Sequence, residues 1–151
     1  MLSRFWILAI LSLFVVGCTP HPGQPGGGPT QEQAAQNRAR PYIEGTAALE
    51  QFKANPDCDG PHSHVVKEKI TELEKNVSTF GTINMYQYEN EASQMHTDLA
   101  FTFANLAMKN GCLDDADQVY RRLIAFYVWS AYSGIRDRAR LGIEDIRVAK
   151  H

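Results

Sequence analysis

Beyond residue 60, apolar residues return at steps of three and four, and this spacing constrains the fold more than any other feature. Val66, Ile70, Leu73, Val77 and Phe80 form one such series, and Met85, Tyr88, Ala92, Met95, Leu99, Phe103 and Leu106 form a second. An α-helix turns positions three and four apart to one side, whereas a half-buried strand needs strict alternation. Lys67, Glu68, Lys69, Glu72, Glu74 and Lys75 fall on the other side of the first series and read as a solvated face. No alternating run with hairpin punctuation competes with this pattern. The chain is therefore predicted to be all-α, with helical hairpins packed as a short bundle or array.

Local signals place the helix ends. Residues 31–40 are polar and rich in Gln, Ala and Arg, compatible with a weak helix or with disorder. Pro41 suits a first helical turn, so the first helix is expected over 42–54 and is stopped by Asn55-Pro56. The second is expected over 62–78, with a break at Gly81-Thr82. A long third helix over 84–109 ends at Asn110-Gly111, where both residues tolerate the left-handed conformation. Asp114 and Asp115 favour the start of a fourth helix through its dipole. A final helix carries Ile135, Ala139, Gly142, Ile143 and Ile146 on one face.

The N-terminus has a different character. Arg4 precedes an apolar run over residues 5–16 interrupted only by Ser12, the anatomy of an export signal. That run is about 12 residues, short of the ~20 that span a bilayer. A retained anchor ending in a buried thiol is the competing reading. Val15-Val16-Gly17-Cys18 resembles the bacterial lipobox. The resemblance implies that Cys18 is thioether-linked to diacylglycerol, that residues 1–17 are removed, and that the lipid bilayer is a partner through acylated Cys18. Thr19, rather than Asp, after the cysteine agrees with a location in the cell envelope on the periplasmic face of the outer membrane. Eight of the twelve residues from 19 to 30 are Pro or Gly, which excludes a regular element there. The expected organisation is a signal peptide over 1–17, a disordered tether over 18–40 and a helical domain over 41–151.

Export implies an oxidising compartment, and Cys58 and Cys112 are the two cysteines left after lipidation, so they are expected to pair. Both sit in turn-like surroundings, Asn55-Pro56-Asp57-Cys58-Asp59-Gly60-Pro61 and Asn110-Gly111-Cys112-Leu113-Asp114. A bridge closing about 55 residues contributes about 4 kcal/mol by chain entropy.

Ala100, Phe103, Ala104, Ala107, Gly111, Ala116, Tyr120 and Leu123 stand at the spacing of a tetratricopeptide repeat. The match is best at Ala104, Gly111, Ala116 and Tyr120, and it departs at Ala100, Ala107, Leu123 and Val128. The resemblance covers about one degenerate repeat and implies a TPR-like region around 95–150. Small residues at Ala104, Ala107 and Ala116 would let two antiparallel helices approach, with Tyr120 filling the gap beside them. An ordinary helical hairpin with alanines at its crossing explains the same residues.

Signatures of catalysis are missing from the sequence. It contains no Gly-x-Ser-x-Gly, no His-Glu-x-x-His, no phosphate-binding Gly loop and no dinucleotide fingerprint. Cys58, Asp59, His62 and His64 form the one metal-like cluster, at a spacing unlike zinc sites. Glu89 and Glu91 are acid–base candidates that nothing in the sequence orients, and His96, alone near Met95 on the long helix, reads as a solvated side chain. Fifteen Lys and Arg against 17 Asp and Glu give a net charge of −2, so nucleic-acid binding has no electrostatic support. The dense aromatic run Phe126, Tyr127, Trp129 and Tyr132, with Arg136 close by, reads as core packing or as a partner-binding surface. No enzyme and no cofactor beyond the covalent lipid is expected. The functional expectation is a lipid-anchored scaffold or binding module for an envelope protein. The alternatives are an assembly or pilot lipoprotein of a secretion or pilus machine, and a small envelope hydrolase.

Overall fold

The computed structural model describes residues 28, 30–80 and 88–151, and these contain helices and no strand. The leader, Cys18 and the Gly81-Thr82 break lie outside the described residues. The helices are α1 (Gln31–Ala54), α2 (Pro61–Phe80), α3 (Tyr88–Lys109), α4 (Leu113–Phe126) and α5 (Ser133–Ala149), with a 3-10 turn over Ser130–Tyr132 leading into the last.

The first helix begins ten residues before Pro41. Thr30 Oγ1 accepts from the Gln33 amide at 3.2 Å, and Gln33 Oε1 accepts from the Thr30 amide at 2.9 Å. This reciprocal capping box satisfies two of the donors that a helix start leaves unpaired. Residues 31–40 are thus helical, and Pro41 lies inside α1 rather than at its start. A proline there removes one backbone hydrogen bond, and Pro41 is buried.

Each helix packs on the next in the chain, and α1 also meets α3, which in turn meets α5. Helices α1, α3 and α5 therefore form one layer, and α2 and α4 form the other. The core lies between the layers. Val66, Ile70, Leu73 and Val77 line α2 as their spacing requires, and Leu99, Phe103, Ala104 and Ala107 do so on α3. Phe52 of α1 and Phe103 sit with ring centroids 5.4 Å apart. Between α2 and α4 the contact is polar. Lys67 Nζ donates to both oxygens of Asp115, at 2.9 and 3.1 Å, and Arg122 reaches Thr71 and Glu74.

Three close fittings set the geometry. Gly111, at φ 82°, ends α3: the Cys112 amide donates to the Ala107 carbonyl at 2.9 Å and the Gly111 amide to Met108 at 3.1 Å. That double bond pattern closes the last helical turn and needs a residue tolerant of positive φ. Cys112 is bonded to Cys58, which joins the α1–α2 loop to the α3–α4 loop. Lastly, Tyr120 packs against Gly142 of α5, so tightly that a Cβ at position 142 would collide with its ring. Tyr120 also lies 6.2 Å from the Phe101 ring and donates to Asn105 Oδ1 at 2.6 Å. It therefore fills the junction of α3, α4 and α5, not only the α3–α4 crossing. Because a phenol ring between three helices cannot withdraw, Gly142→Ala is expected to destabilise by about 2 kcal/mol, read by urea unfolding.

Among the described residues no helix is long and apolar enough to cross a membrane.

Candidate partner-binding site

The layer of α1, α3 and α5 carries an open trough of about 630 Å³. Tyr42 comes from α1; Glu91, Gln94, Met95, Thr97, Asp98 and Phe101 from α3; Gly134, Ile135 and Arg138 from α5. Each helix contributes because residues three and four apart share one side of it, so parallel neighbours in one layer offer a continuous floor. Met95 and Ile135 are half-buried and supply the apolar part.

The polar groups of the trough are held in place. The Tyr42 hydroxyl donates to Asp98 Oδ2 at 2.6 Å, linking α1 to α3. This bond to Asp98, with burial second, raises the phenol above its ordinary pKa. The Arg138 guanidinium lies 4.0 Å from the centre of the Phe101 ring and links α5 to α3. Glu91 and Gln94 are exposed at the rim. The trough thus combines an apolar floor with donors and acceptors at its walls.

The aromatic run singled out in the sequence divides. Tyr127 is only 1% exposed, so it belongs to the core and is not presented to a partner. Its hydroxyl lies 2.9 Å from His96 Nδ1, and its ring packs edge-on against Phe126 and Tyr132, both with centroids 5.0 Å away. Phe126 and Tyr132 are half-buried. Arg136 is turned to its own backbone, with Nη1 donating to the carbonyls of Tyr127 and Trp129, each at 2.6 Å. Trp129 alone among the four aromatics stands out, 74% exposed.

His96 is buried among Phe126 and Tyr127, and desolvation, with the Arg122 charge second, lowers its pKa to about 4. The structure thus corrects the expectation of a solvated side chain: with a ring nitrogen satisfied by the Tyr127 hydroxyl, His96 is a neutral core residue, and it lies away from the trough. His62 and His64 are exposed at the start of α2. The Cys58 sulfur is committed to the disulfide, and among the described residues no three His, Cys, Asp or Glu side chains gather as metal ligands. Glu89 has no described side chain. Tyr42, Asp98, Phe101 and Arg138 were not singled out by motif, because three helices contribute them and no local pattern joins residues so far apart in the chain.

No protein family, no curated protein and no solved structure matches the chain.

Proposed function

We propose that this protein is a lipid-tethered, non-catalytic binding module of the bacterial cell envelope. Acyl chains on Cys18 fix it to the membrane, the segment between Cys18 and the α1 cap at Thr30 gives it reach, and the trough grips a segment of an envelope protein. The observation that carries the reading is the trough itself, a concave face built by alternate helices with an apolar floor and braced polar groups at its walls. Alternate helices lining one face are also how tandem helical repeats present a binding surface. The closely packed Ala104, Ala107 and Ala116, all fully buried, agree with that resemblance. Support for the lipid comes from cysteine use: with Cys58 and Cys112 joined, Cys18 is the one remaining thiol of the three.

Two measurements test it. Metabolic labelling with palmitate is expected to mark the protein and to be abolished by Cys18→Ser. A photo-crosslinking residue at Gln94, on the rim of the trough, is expected to trap an envelope protein. The same residue at Glu68, exposed on α2 in the other layer, is expected to trap none. Equal adducts from both positions, or none from Gln94, would remove the trough from the proposal.

A further inference from the structure

The corner between α4 and α5 exposes apolar side chains that the fold does not use. Trp129 is 74% exposed and Val128 64% exposed, side by side in a connection with no helix of its own beneath them. The corner is not loose. Arg136 Nη1 bonds the carbonyls on both sides of Val128, and the amide of Tyr132 donates to the Trp129 carbonyl at 3.0 Å. Tyr127, immediately before, is locked in the core against His96. The backbone is thus braced to hold an indole outward.

The corner's place in the fold can be fixed from the helix order. Successive helices run antiparallel, so α1, α3 and α5 start at the same end of the molecule, and the disulfide joins loops at the opposite end. Two contacts fix the heights independently. Ala35, Arg38 and Ala39 of α1 lie beside Glu91, Ala92 and Met95 at the start of α3. The Tyr127 hydroxyl reaches the Ser93 carbonyl at 3.5 Å. The corner therefore lies at the end from which the chain leaves Thr30 toward Cys18.

We infer that Val128 and Trp129 insert into the interfacial zone of the bilayer and orient the domain on it. The inference rests on the lipid-tether reading above. Tryptophan suits that zone because its ring is apolar while its indole N–H can remain hydrogen-bonded among headgroups. The acyl chains hold the protein down without help, so the corner's role is orientation rather than anchorage. Attachment at a single point, Cys18, does not by itself set the orientation of the domain. Two shallow side chains at the tethered end would stand the helices up from the surface. The disulfide end would point away, and the trough on the side of the molecule would stay open.

The test uses the acylated chain of residues 18–151, in which Trp129 is the sole tryptophan because Trp6 leaves with the leader. The purified protein is bound to vesicles of phosphatidylethanolamine and phosphatidylglycerol whose acyl chains are brominated either near the headgroup or near their ends. Blue-shifted emission on binding, with stronger quenching by the bromines nearer the headgroup, is the expected result. Vesicle-bound protein whose Trp129 emits as in water and escapes quenching would overturn the inference, even with acylation confirmed by intact mass. A blue shift that needs added envelope protein, or that appears without vesicles as concentration rises, would overturn it too. If the mass shows no lipid, the tether reading fails on its own. Residues 18–151 are then made without the leader, the Cys18 thiol is coupled to a maleimide lipid, and the emission of Trp129 still decides the matter.

Discussion

Replacing both Cys58 and Cys112 with serine is expected to lower the stability of the domain by about 4 kcal/mol, the chain entropy that a cross-link across a loop of this size removes from the unfolded state. The two residues are 54 apart in sequence, and the bond spans the whole of α2 and α3. Domains of this size have total stabilities of about 5–15 kcal/mol, so the change consumes a large part of the margin. The double serine variant is the fair comparison, because a single substitution leaves an unpaired thiol beside a buried position. Urea unfolding of the oxidised protein, of the reduced protein and of the double variant checks it. The last two are expected to coincide at a lower midpoint. Oxidised and reduced proteins that unfold together would show that the unfolded chain gains nothing when the loop is opened.

Acid is expected to weaken the fold through His96. The imidazole is held neutral in the core, with its folded pKa lowered to about 4 against 6.5 for an open chain. Between those values the unfolded chain binds a proton that the folded protein refuses. Stability therefore falls as pH drops below about 6.5 and levels off near 4, by about 3 kcal/mol in all. Carboxylates held below their usual range, such as Glu44 beside Arg40 and Lys69 or Asp114 beside Lys150, add their own losses at lower pH. Subtracting the profile of His96→Gln isolates the histidine. The variant is expected to be less stable at pH 7, where it disturbs the contact with the Tyr127 hydroxyl, yet to show a flatter slope between pH 4 and 6.5. An unchanged slope would mean that His96 gains water on protonation at little cost.

Helix content was legible because apolar spacing reports directly on which side of a helix faces the core, and Val66 to Val77 obey it without exception. The disulfide was legible by elimination among three cysteines. The first ten residues of α1 were not, since their polar sequence has almost no apolar stripe to betray a helix. The capping pair Thr30 and Gln33 was present but stands before a segment whose Pro41 looks like a start. The aromatic run stayed open between core and surface for a related reason. Tyr127 finds its partner in His96, 31 residues away, and nothing local distinguishes it from Trp129 two places on. The trough depends on three helices meeting side by side, so its members acquire meaning only after the chain has folded.

The covalent bridge fastens one end of the first four helices and leaves the fifth outside its span. Helix α5 rests chiefly on α4, with a lighter contact to α3. Its tie through Lys150 and Asp114 is a solvent-exposed ion pair of little strength. In native-state hydrogen exchange, α5 should therefore open at lower energy than α3. Because Ile135 and Arg138 travel with it, the pocket wall with the weakest hold is also the one an incoming peptide would press against. Such a ligand would be gripped by a jaw with one fixed side and one compliant side, and its arrival would be recorded as slowed exchange along the last helix.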